Sequence, residues 1–195
     1  MAILLAQASP GAAHPHIFID ADGRLTELDV TWIYDAMTSL LMLEDLRIDA
    51  AAPLAPEDRA RLAAYQTEWQ PGFDGDSYLI DGDRRIAVSG PLRPDATIED
   101  AKVVITFARN VETPFRPGPE TVVEIYDPTY FTAYAVTAPP RLAGAATGCT
   151  AEVEHFRPTA SLQPLLDQLG AIPADQDPAE DLGRLFAERV HLACD

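Results

Sequence analysis

Residues 25–34 read LTELDVTWIY. Leu28, Val30, Trp32 and Tyr34 alternate with Asp29 and Thr31, the period of two that sets one face of a strand against a core and the other toward water. A sheet with one buried face is therefore the starting point. Just upstream, Ala21-Asp22-Gly23 has the chemistry of a hairpin turn, which predicts a short partner strand over His16 to Asp20. Downstream the period changes. Met37, Leu40, Leu41, Leu43 and Leu46 make a wide apolar face over Ala36 to Leu46 and predict a largely buried helix. Pro56 opens a second helix, with Glu57 and Asp58 in the first turn and Leu62, Tyr65 and Trp69 at helical spacing.

Strands are predicted over Ser77 to Ile80, Arg84 to Val88, Ala101 to Arg109, Thr121 to Val136 with a break near Pro128, and Ala151 to Phe156, with Asp81-Gly82-Asp83 as a hairpin turn. The end of the chain reads as helical. Leu162, Leu165, Leu166 and Leu169 form one stripe, Leu182, Leu185, Phe186 and Val190 another, and Asp177-Pro178-Ala179-Glu180 is a helix start. The predicted fold is α+β: an antiparallel sheet or sandwich-like core, a buried helix pair and a helical C-terminal tail.

A chain of 195 residues with 47% hydrophobic residues fills one domain. Acidic residues outnumber basic ones 31 to 14, for a net charge of −17, which repels nucleic-acid phosphates and anionic lipid surfaces and draws cations toward the protein. The opening MAILLAQASPGAA resembles the end of a secretory signal peptide, with small-residue cleavage sites at Ala6-Gln7-Ala8 and Gly11-Ala12-Ala13. Residues 1–13 are thus expected to be a signal-peptide remnant and 14–195 a single periplasmic domain that does not span the membrane. In such an oxidising compartment Cys149 and Cys194 are expected to form one disulfide; two free thiols are the alternative.

His14-Pro15-His16 is the sharpest chemical feature. Two imidazoles two residues apart on an extended segment point to the same side and suit zinc, nickel or copper; the other reading is a lead-in that packs beside a sheet edge. Asp35 stands where the strand over 25–34 gives way to a helix and Asp127 precedes Pro128, so each is either an oxygen donor at a strand end or, respectively, a helix cap and a turn former. His155 reads as a satisfied core or edge histidine, and His191 as a solvated residue of the last helix. Asp74-Gly75-Asp76 and Asp81-Gly82-Asp83 lack the ligand spacing and the closing glutamate of a calcium loop. The familiar signatures of nucleophilic hydrolases, zinc proteases and nucleotide-binding enzymes are missing. The chain is expected not to be an enzyme, the catalytic alternative being a hydrolase that uses Asp35 and Asp127.

Taken together, HPHIFID at 14–20, VTWIYD at 30–35, SLLMLEDL at 39–46, EIYDPTYF at 124–131 and GC at 148–149 resemble the bacterial family called domain of unknown function 1007, described as a periplasmic component of ABC-type transport systems. The resemblance covers His14 to about Cys149, and its most specific parts are YDPTYF and the His-Pro-His start. It implies periplasmic location and an association with transport, in some members near nickel, cobalt or zinc permeases. Two departures stand out: the first hairpin is shorter than is usual in the family, and Ile48 to Pro53 keeps one acid where many members have a calcium-type loop. The expected function is an accessory or solute-binding component of a transporter, with a metal ion or small solute and possible inner-membrane permease as partners. The ligands would be His14, His16, Asp127 and Asp35. The competing class is an interaction domain that contacts a permease and binds no solute.

Overall fold

The computed structural model describes residues 11–128, 132–157, 159, 162, 164 and 182–195. Along them run β1 (Gly11–Ile19), β2 (Leu25–Ile33), α1 (Ala36–Leu46), α2 (Pro56–Thr67), β3 (Ser77–Asp81), β4 (Arg84–Ile86), β5 (Leu92–Glu99), β6 (Lys102–Phe115), β7 (Thr121–Ile125), β8 (Tyr134–Val136), β9 (Arg141–Gly144), β10 (Cys149–Glu154), a short 3-10 turn at Leu182–Phe186, and β11 (Glu188–Cys194).

Among the described residues these strands form two sheets. The first has the order β5-β6-β2-β1, with the outer edge of β1 shared by β8 and β9; the second has the order β10-β11-β7-β3-β4. The α+β class with a sheet core is therefore as expected. The pairing is not antiparallel throughout, because β8 and β9 both run parallel to β1. The alternation in β2 does what it predicts: Leu28, Val30 and Trp32 are buried beside Ile17, Ile105 and Phe107. One cluster joins them to Leu79, Val123, Ile125, Val190 and Leu192 of the second sheet, so the two sheets share a core.

The helices lie on β5 and β6. Ser39 fastens α1 there, its hydroxyl oxygen accepting from the Val103 amide at 2.8 Å. Burial of α1 is confined to the stripe of Ser39, Met42 and Leu43, while Met37, Leu40 and Leu41 are 66%, 53% and 57% exposed. This corrects the expectation of a buried helix. Apolar residues on α1 span more than one side, and a helix lying on a sheet turns only one side inward. Leu40→Gln and Leu41→Gln are accordingly expected to leave stability within about 0.5 kcal/mol of wild type in urea unfolding. A larger loss in either would mean that this side of α1 is covered.

The helical C-terminal tail is also corrected. Glu188–Cys194 is a strand, hydrogen-bonded between β10 and β7, with Val190 and Leu192 fully buried. The Leu182, Leu185, Phe186, Val190 spacing fits a helix, but Val190 and Leu192 alternate with His191 at the strand period. His191 stands on β11, where Nε2 lies 2.7 Å from Glu154 Oε2. The stripe from Leu165 to Leu169 and the helix start at Asp177 to Glu180 lie outside the described residues. Two strands had no sequence forecast. In β5, Pro94 and a register shift between Leu92 and Asp95 disguise an edge strand, and β9 is too short to show a period.

Cys149 and Cys194 stand directly opposite each other on β10 and β11 and are joined by a disulfide. No helix among the described residues is long and apolar enough to cross a membrane.

Candidate functional site

The WIYD stretch and Tyr126-Asp127 converge at one end of the shared core. β2 delivers Trp32 and, just past its end, Tyr34; the chain just past the end of β7 delivers Tyr126 and Asp127. Between them comes Asp76, one residue before β3, held in place because its carbonyl accepts from the Tyr126 amide at 3.1 Å. Tyr134, the first residue of β8, completes the group. Its ring packs on Trp32 with centroids 4.5 Å apart, and its hydroxyl donates to Asp76 Oδ2 at 2.5 Å. The Tyr34 hydroxyl donates to Gln66 Oε1 of α2 at 3.0 Å. Asp127 Oδ2 accepts from the Thr132 amide at 2.8 Å.

Electrostatics single out Asp76. Burial and the nearby negative charge of Asp127 push its carboxyl up to about 7, against the opposing pull of the Tyr134 hydrogen bond and the Arg109 guanidinium. Burial, reinforced by Asp76, also raises the hydroxyls of Tyr34 and Tyr134 above the ordinary phenol range. The site therefore holds a carboxyl that exchanges its proton near neutrality beside two phenols that stay protonated. Such a group is a candidate proton donor or acceptor, or a set of hard oxygen donors.

A small cavity of ≈ 80 Å³ adjoins it, lined by Asp127, Tyr134, Phe156, Gly183, Phe186 and Glu188. Gly183 is required by contact: a Cβ there would lie 1.7 Å from the Asp127 carbonyl oxygen. Buried Glu188 forms the far wall, accepting from the Val136 and Phe156 amides at 3.2 and 2.9 Å, with His155 Nδ1 2.8 Å from Oε2. His155 is thus an exposed edge histidine anchored to a buried carboxylate.

The four residues expected to be ligands fall in three places. Asp35 caps α1: Oδ1 accepts from the Met37 and Thr38 amides and Oδ2 from the Thr38 hydroxyl, at 2.8, 3.0 and 2.7 Å. Partial burial works against it, yet these bonds hold the carboxyl below its usual range. Asp127 acts on Asp76. His14 and His16 occupy β1, opposite Thr31 and Asp29 of β2 and alternating with buried Pro15 and Ile17. Among the described residues no group of three or more His, Cys, Asp or Glu side chains gathers as a metal cluster. Sequence reading passed over Asp76 and Tyr134. Asp76 was visible only as part of Asp74-Gly75-Asp76, weighed there as a calcium loop; the available signal was a carboxylate abutting a strongly patterned strand.

No curated protein matches the chain. A family model described as "Protein of unknown function (DUF1007)" matches residues 1–194, the full reach of the fold including β11 and both clusters of site residues, and the chain belongs to that family.

Proposed function

We propose that the protein is a periplasmic, non-catalytic accessory or solute-binding component of a transport system, with a transition-metal ion as its solute and His14 and His16 as principal ligands. The observation that carries this reading is the register of β1 on β2. It pairs His16 with Asp29 and His14 with Thr31, so two imidazoles and a carboxylate belong to neighbouring positions of adjacent strands. Imidazole with carboxylate suits zinc, nickel and copper. Asp29 thereby replaces Asp35 and Asp127 as the favoured oxygen donor. Its carboxylate lies 4.0 Å from Arg93, an exposed contact that a bound cation would displace. The disulfide supports an oxidising compartment. Cleavage after Ala8 is preferred over Ala13, because it leaves the whole of β1, including the pairing of Gly11 to Ala13 with β8.

Calorimetric titration of the apo protein with zinc, nickel and copper tests the site. The His14→Ala/His16→Ala double variant is expected to bind at least about tenfold more weakly, and Asp29→Asn to lose less. Affinity should fall as pH drops through about 6.5, where protons compete for imidazole nitrogen. Equal affinity in wild type and double variant would remove the histidine site.

The exposed side chains of Met37, Leu40 and Leu41 on α1 favour a second reading, the interaction domain that contacts a permease without binding solute. Absence of binding by all three metals would move the preference to it.

A further inference from the structure

Arg109 is an unusual cation in this fold. It lies on β6 with 3% of its surface exposed, yet among the described residues it makes no ion pair. Its Nε donates to Ser89 O at 2.8 Å, and Nη1 to Ser77 O and Oγ at 2.7 and 3.2 Å. Its guanidinium carbon stands 5.1 Å from the centroid of the Trp69 ring. Every acceptor is neutral, and Nη2 has no partner among the described residues. No buried polar side-chain atom of these residues is left unsatisfied, so Nη2 is reached from outside, through the cleft that Arg109 helps to line.

That cleft, of ≈ 350 Å³, opens where the chain leaves β4 to join the edge of β6. Arg85 stands beside it, its guanidinium 4.3 Å from the Tyr78 ring centroid and its Nη2 3.1 Å from Asp74 Oδ2. Both partners of that ion pair are half or more exposed, at 50% and 68%, so the pair is weak and Arg85 is free to turn. Asp74 and Glu112 also border the cleft. They penalise a doubly charged anion more than a singly charged one. Burial draws the Arg109 pKa down to about 10 against the opposing pull of Asp74 and Asp76, so the group is still charged at neutral pH, with no carboxylate of the described residues within ion-pair distance.

We infer that this cleft is a binding site for the carboxylate of a small organic acid, which accepts from Arg109 Nη2 and is closed over by Arg85. A volume of this size is that of a small-molecule pocket of about 300 Å³ or more. The site is separate from the histidine pair on β1, and its test does not depend on metal.

Isotope-labelled full-length protein is titrated at neutral pH with the monocarboxylates sodium acetate and sodium lactate at constant ionic strength, with sodium phosphate and sodium chloride as parallel arms, and followed by amide and indole NMR shifts. The expected result is saturable movement of the Ser77 amide and of the Trp69 Nε1–H for the two carboxylates. Arg85→Ala, on an exposed side chain that leaves the fold intact, should weaken the affinity by about fivefold or more, and Arg109→Lys, which keeps the charge but loses the planar fork, by about tenfold or more. Three results would overturn the inference: no saturation with either acid, tighter saturation by phosphate or chloride, or unchanged affinity in Arg85→Ala.

Discussion

Removing the Cys149–Cys194 disulfide is expected to lower the unfolding free energy by about 4 kcal/mol, because the bridge closes a loop spanning a sequence separation of 45 residues in the unfolded chain. For a protein of this size the melting temperature should fall by about 8–16 °C. Native structure does little to soften the loss. The two cysteines face each other at the ends of β10 and β11, and that end is otherwise tied by a few single bonds, from the Cys194 amide to Pro117 O at 3.2 Å, from the Asp195 amide to Gly148 O at 3.1 Å and from Arg116 Nη1 to Asp195 O at 3.1 Å. Urea unfolding of wild type with and without reductant, and of the Cys149→Ser/Cys194→Ser variant, measures it. Reductant should have no effect on the variant. A loss below about 1 kcal/mol would mean that the strand pairing, not the cross-link, holds this end together.

The second large effect concerns Asp76. Its carboxyl titrates near 7 in the folded protein and near 3.8 in an unfolded chain, chiefly because burial penalises the charged form. Between those pH values the folded state holds a proton that the unfolded state has lost, so stability falls as pH rises. The contribution is fully present below 3.8 and is lost as pH climbs through about 7. A difference of roughly 3 units corresponds to at most about 4 kcal/mol, and less to the extent that water reaches the half-buried carboxylate. Asn is a neutral isostere whose carbonyl still accepts from the Tyr134 hydroxyl. Asp76→Asn is therefore expected to match wild type near pH 4 and to exceed its stability above pH 7, with a flatter profile between. Unfolding of both proteins across this range cancels the contribution of the other acids. Parallel profiles would show that Asp76 is ionised at no cost in the fold.

The parts of this fold that were legible are those whose pattern is local. The alternation in β2 and the Asp81-Gly82-Asp83 turn need only neighbouring residues to be understood, and the same holds for the proline that opens α2. Failures came where tertiary context decides. Val190 and Leu192 belong to a strand because β10 and β7 lie on either side, information that no window around them contains. α1 exposes half its apolar residues because only one side of it meets β6. The candidate site divides in the same way. Asp127 and the WIYD stretch were flagged, but Asp76 owes its raised pKa chiefly to burial, with Asp127 adding to it and Tyr134, 58 residues away, and Arg109 opposing it. A carboxylate's spatial neighbours, rather than its sequence neighbours, set its proton affinity.

The place of β11 has a consequence for how the chain is made. Glu188–Cys194 follows the other described strands in the sequence, yet it is the strand that connects β10 to β7. Until it arrives, the second sheet exists only as the β7-β3-β4 ribbon, with β10 detached and one side of the shared core open. The first sheet also waits, since β8 and β9 must return across more than half the chain to close the edge of β1. Pairings so distant in sequence form slowly. Vectorial synthesis therefore delivers a chain whose first sheet closes only after β9 and whose second closes only after β11, and loss of Glu188–Cys194 would leave β10 without its strand partner among the described residues.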